Sequence, residues 1–164
     1  MRFLALATLV CVAIAAPARA QTADADLMAP IQKFMDTFNK GDMVGAAATH
    51  AAGADLTITD EVPPFLWRGP KAFHAWSAAL DADAKKQGMT EPMVTVSAPT
   101  RSEQQGDQAY VVVPAVFTFK LKGTPMREAA QMTFVLKKGA GGWLIHGWTW
   151  TGPKPTPAAA SSKP

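Results

Sequence analysis

Among the side chains of this 164-residue chain, Asp60 has the surroundings best suited to moving a proton. It ends the alternating run Leu56-Thr57-Ile58-Thr59-Asp60, the pattern of a half-buried strand, so if Ile58 faces the core, Asp60 shares that face. A carboxylate held among apolar groups has its pKa raised toward the range useful for a general base. Beside Pro63-Pro64, the same residue can also be read as a solvated, turn-capping aspartate. Two other groups would complete an acid–base set: Tyr110, the only tyrosine, and His146. In Trp143-Leu144-Ile145-His146-Gly147-Trp148-Thr149-Trp150, strict alternation puts His146 on the face of Leu144, Trp148 and Trp150. If that face looks inward, His146 is a proton-transfer candidate near Asp60; if it looks outward, it is a surface or interface histidine.

Other chemistries lack their residues. His50, His74 and His146 are isolated, without the paired spacing of a zinc site, so no metal is expected. Ser77 has no adjacent base, and no glycine-rich phosphate loop is present, so no cofactor is expected either. Aromatic residues are the surplus. Five tryptophans in one small domain exceed what a core needs, and Trp67, Phe73, Trp76, Trp148 and Trp150 are expected to form the wall of a ligand pocket or a subunit interface.

Residues 1–20 read as a secretory signal, with Arg2, an apolar run from Phe3 to Ala16, and Pro17-Ala18-Arg19-Ala20 as the cleavage region. A periplasmic or secreted protein cleaved after Ala20 follows, with no membrane insertion, because the apolar run is shorter than the roughly 20 residues of a spanning helix. Cys11, the only cysteine, leaves with that segment, taking with it any disulfide or thiolate chemistry. Arg2 and Arg19 leave too, which brings the formal charge of +3 close to neutral and excludes a nucleic-acid footprint.

The remaining chain reads as one domain over 21–151 and a Pro/Ala/Ser tail over 152–164, too poor in apolar surface to order itself. Leu27, Ile31, Phe34, Met35 and Phe38 predict a first helix with Pro30 in its first turn, and Asp42 caps a short second one. A strand over 56–60 and a short return at Phe65-Leu66-Trp67 follow. Gly69-Pro70 opens a third helix with Phe73, Trp76 and Leu80 inward, closed by Lys85-Lys86-Gln87-Gly88. Strands over 93–97, 109–121, 128–138 and 143–151 then form an antiparallel meander, in which Pro114 implies an edge or a bulge.

Helices, a strand and an aromatic segment, then a bent meander ending in Gly142-Trp143-Leu144-Ile145-His146-Gly147-Trp148, resemble the nuclear transport factor 2-like superfamily, in particular its SnoaL-like and ketosteroid-isomerase-like members. Residues 58–76 are similar to an exported bacterial group of that superfamily whose role is unassigned. The resemblance implies an α+β cone-shaped roll, with N-terminal helices packed on a strongly bent antiparallel sheet around an apolar cavity, and a homodimer through the sheet. It leaves two functions open. One is binding of a small apolar or aromatic molecule; the other is an isomerase, dehydratase or cyclase using Asp60 with Tyr110 or His146. Ketosteroid isomerases pair an aspartate base with a tyrosine and a protonated aspartic acid. No second acid pairs with Tyr110 in this sequence.

Overall fold

The structure is a computed structural model that describes the backbone of residues 18–158 and the side chains of residues 25–158. The expected signal segment therefore lies outside the described residues except for its last three positions.

The first helix, α1 (Ala18–Asn39), begins upstream of the predicted start, so Pro30 sits inside it and not in its first turn. Its apolar stripe is as the spacing predicts: Leu27, Ile31, Phe34 and Met35 are buried and Phe38 is half-buried. Helix α2 (Met43–Ala47) is capped by the Asp42 carboxylate, which accepts from the Gly45 N–H at 2.8 Å. Helix α3 (Ala72–Gln87) starts after Pro70, with Lys71 at its N-cap. Gly88 closes it in the left-handed conformation at φ 72°, where glycine carries no Cβ penalty.

Eight strands form one sheet: β1 (Thr57–Thr59), β2 (Leu66–Arg68), β3 (Met89–Val96), β4 (Arg101–Gln105), β5 (Gln108–Leu121), β6 (Thr124–Gly139), β7 (Gly142–Thr151) and β8 (Thr156–Pro157). The order is β2-β1-β7-β6-β5-β3, with β4 beside β5 and β8 beside β6. Pairing is antiparallel except between β1 and β7, which run parallel with Ile58 opposite Trp148. This register sets Asp60, just past β1, beside the end of β7 that carries Trp148 and Trp150.

Contrary to expectation, Pro114 lies neither on an edge strand nor at a bulge, but in a gap between two partners on one side of the interior strand β5. The β5–β6 register is unbroken across it, while β3 pairs with residues 115–121 of β5 and β4 with residues 108–112. The Val112 and Pro114 carbonyls accept from Thr100 and Ser97, so Pro114 turns its missing donor toward the crossing from β3 to β4. Along the free edge of β3, the Asn39 side chain bonds Val94 in both directions, accepting at 2.8 Å and donating at 2.7 Å. It covers the edge as a strand would and fastens α1 into the concave face.

The tail departs from expectation. Residues 152–158 lie over the domain: β8 pairs with Met126 and Arg127, and the Ala158 N–H donates to the Pro125 carbonyl at 2.9 Å. Backbone pairing supplies the order that the tail's composition lacks. Residues 159–164 lie outside the described residues.

Candidate functional site

The concave face of the sheet and helices α1 and α3 line a cavity of about 430 Å³. Phe34, Phe38, Trp76, Phe117, Trp148 and Trp150 supply most of its aromatic wall, and Met35, Val94 and Met132 part of its aliphatic one. Asp60, Glu61, Asp83 and Gln87 bring polarity from the loop after β1 and from α3, and Lys154 and Pro155 bring the tail to the rim. A volume of several hundred Å³, largely apolar with a few converging polar groups, is that of a small-molecule site.

Strict alternation fails on β7 for a physical reason. The β6–β7 register shifts between Val135 and Leu136: Val135 faces Gly147 and Leu136 faces Ile145, which leaves His146 as the extra residue of a bulge. Alternation is reset there. Trp143 and Ile145 are buried before it, and Trp148 and Trp150 line the cavity after it. His146 is half-buried and does not line the cavity, although the face carrying Trp148 and Trp150 does look inward.

Asp60 lines the cavity with both oxygens engaged. The Trp76 indole N–H donates to Oδ2 at 2.5 Å and the Glu61 backbone N–H to Oδ1 at 2.7 Å. The turn that aims it is closed by the Asp60 N–H to the Phe65 carbonyl and the Phe65 N–H to the Val62 carbonyl, and holds a cis peptide between Pro63 and Pro64. Burial pushes its pKa up, and these two hydrogen bonds pull against that rise. Glu61 is pushed up to about 7, by burial first and then by the neighbouring carboxyls of Glu128 and Asp60.

Glu128 is the member of this group that motif reading did not single out. It sits on β6 opposite Phe117, is 1 % exposed, and accepts from the Trp150 indole at 2.8 Å. Its other oxygen, Oε2, is buried with no partner among the described residues. Gly152 packs over it so closely that a Cβ there would lie 1.9 Å from Oε1. The signal was present: Glu128, Ala130, Met132, Phe134 and Leu136 share one parity of β6, so an acid occupies its apolar face.

At the opposite end, His50 is buried against Phe34 and Phe73, with ring centroids 4.7 Å away in both cases. Its Nδ1 lies 3.0 Å from the Ala46 carbonyl, and its Nε2 accepts from the Trp148 indole at 3.1 Å. The carbonyl requires the proton on Nδ1 and the indole requires a lone pair on Nε2, so the ring is neutral. Burial lowers its pKa to about 4.

Of the aromatic residues expected to form the wall, Trp76, Trp148 and Trp150 do so. Trp67, opposite Ile58 on β2, and Phe73, packed on Phe34 and Trp76, are buried core residues that do not line the cavity. Tyr110 is not brought to Asp60. Its position on β5 alternates with the buried Ala109 and Val111, and it is 39 % exposed with the Arg101 guanidinium 5.6 Å from its ring. Among the described residues, no three His, Cys, Asp or Glu side chains are grouped to hold a metal ion.

No protein-family model matches the chain, and no curated protein matches it in sequence. Solved structures do match in shape. A nuclear transport factor 2-like superfamily protein from Salmonella enterica serovar Typhimurium superposes with a TM-score of 0.66 at 13 % identity, over 88 % of this chain and 99 % of that one. A hexachlorocyclohexane dehydrochlorinase from Novosphingobium barchaimii gives 0.68 at 14 % identity, over 86 % and 93 %. A ketosteroid isomerase-like protein from Erwinia carotovora gives 0.61 at 19 % identity, over 80 % and 96 %. The chain has the nuclear transport factor 2-like fold, an α+β cone with its helices held in a curved sheet. That fold serves binding proteins and enzymes alike.

Proposed function

We propose that this is an exported protein, periplasmic or secreted, that binds a small apolar or aromatic molecule in the cone. The observation that carries this reading is the aromatic cavity of about 430 Å³, with Trp76, Trp148 and Trp150 exposed to its interior. Three indoles in the wall make tryptophan emission the direct test. Titration with a panel of hydrophobic and aromatic compounds is expected to shift emission saturably for at least one class, and a flat response across the panel overturns the reading. A homodimer across the outer face of the sheet belongs to the same proposal. Met93 and Val135 are exposed on strands there, and light scattering is expected to give twice the chain mass.

A second reading, acid–base catalysis, is favoured by one observation: Asp60 and Glu61 both line the cavity with carboxyl pKa values raised by burial. Asp60 would take a proton and Glu61 would return one, a role in which Glu61 replaces Tyr110 and His146. Elimination from hexachlorocyclohexane, the activity in the name of one structural neighbour, gives an assay. Turnover that falls about a hundredfold in Asp60→Asn supports this reading, and turnover indifferent to that change removes it.

A further inference from the structure

The cavity joins an aromatic wall to two lining carboxyls, Asp60 and Glu61, with Glu128 buried outside the lining. Asp60 is served by two donors, but Glu128 has one oxygen on the Trp150 indole and the other without a partner, at 1 % exposure. Glu61 lies beside both. Asp83 on α3 adds another negative charge, Lys154 on the tail is the one cation among the described residues lining the cavity, and His50 behind Trp148 is neutral. A buried carboxylate with an unmet oxygen is costly unless a positive group comes to it. These carboxyls are not grouped around a common point as metal ligands are, so the fitting counter-charge is large and diffuse. Indole faces attract such a cation through the ring quadrupole.

We infer that the cavity takes a monocationic aromatic or alkyl amine, its charge beside Glu61, with Glu128 outside the lining, and its hydrocarbon against Trp76, Trp148 and Trp150. The inference rests on the cavity being the ligand site and narrows the ligand class. It also predicts a proton count. Before binding, Glu61 is partly protonated near neutral pH, since burial first and then the neighbouring carboxyls of Glu128 and Asp60 raise its pKa to about 7. The arriving cation takes the proton's place, and the proton leaves to solvent.

The test uses the full chain and a matched pair: benzyltrimethylammonium, whose charge does not titrate, and its neutral carbon counterpart with a tert-butyl group. Tryptophan emission and calorimetry are expected to show the cation binding about tenfold more tightly than the neutral twin, the scale of a desolvated cation–π contact plus an ion pair. Its affinity is expected to rise about tenfold from about pH 6 to about pH 8 as the ionised fraction of Glu61 grows, with proton release read from buffers of different ionisation enthalpy. Glu128→Gln and, at the more exposed rim, Glu61→Gln are each expected to remove the preference for the cation while leaving the neutral compound's affinity. Equal or tighter binding of the neutral twin overturns the inference and leaves the apolar-cavity reading standing. Silence from both compounds overturns the inference, while the apolar-cavity reading is decided by the wider panel. Cation binding that ignores pH and survives both substitutions places the cation elsewhere and overturns the inference as well.

Discussion

The two ends of the cone treat an indole N–H in opposite ways. At the closed end, Trp148 donates to His50, whose other nitrogen is satisfied by a backbone carbonyl, so the polar pair is complete and uncharged. Toward the mouth, Trp76 and Trp150 donate to Asp60 and Glu128, and one Glu128 oxygen still has no partner. The same donor serves packing in one place and holds charge beside a cavity in the other. Counting partners separates the two roles: a buried polar group with all its hydrogen bonds is architecture, and one left short is a place where something else can act.

The contrast can be broken from the shared middle outward. Phe34 touches both ends, with its ring against His50, Trp76 and Trp148. Phe34→Ala is expected to cost about 3–5 kcal/mol in urea unfolding, by loss of burial and the cavity left behind. His50→Leu strands the Trp148 N–H and is expected to cost about 1–3 kcal/mol, without touching the charge at the mouth. Gly152→Ala drives a methyl group into Glu128 and Ala130. An expected cost of about 1 kcal/mol or more, with faster hydrogen exchange at Ala158, would show the tail lifting from the sheet.

Acidity distinguishes the ends by sign. His50 is held neutral when folded, so its contribution grows as pH climbs from about 4 to the ordinary histidine value of 6.5. Glu61 is raised from 4.5 to about 7, so its folded form holds the proton longer and stability declines as pH climbs across that interval. Melting temperature is expected to rise below about 4.5, to stay nearly level while the two oppose each other, and to fall between 6.5 and about 7. Glu61→Gln is expected to remove the fall and His50→Leu the rise. The smallest effect serves as a control: Tyr110→Phe and His146→Gln, away from both ends, are each expected to stay within about 0.5 kcal/mol of the parent.

Much of this was legible in the sequence because one side of each element is buried and the other is not. The α1 stripe, the Asp42 cap, the Gly88 stop and the inward Phe73 and Trp76 follow directly from periodicity and cap chemistry. The placement of Asp60 on the face of Ile58 follows from the same rule. What escaped did so where a local exception or a distant contact decides. A one-residue bulge changed the phase of β7, so alternation alone put His146 with the wrong tryptophans. The parallel β1–β7 pairing and the ordering of residues 152–158 depend on partners tens of residues away. Glu128 was visible as an acid in an apolar column, but only the fold shows it next to Glu61 and under Gly152.

The irregularity at His146 also makes the mouth vulnerable to a slip of register. Pairing that residue with Val135, in place of bulging it, would carry one phase along the whole strand from Trp143 onward and swing two large rings out to the convex side. A polar residue would then turn into the hollow in their place. The chemistry of the chamber thus depends on a spacer that contributes no atom to its lining.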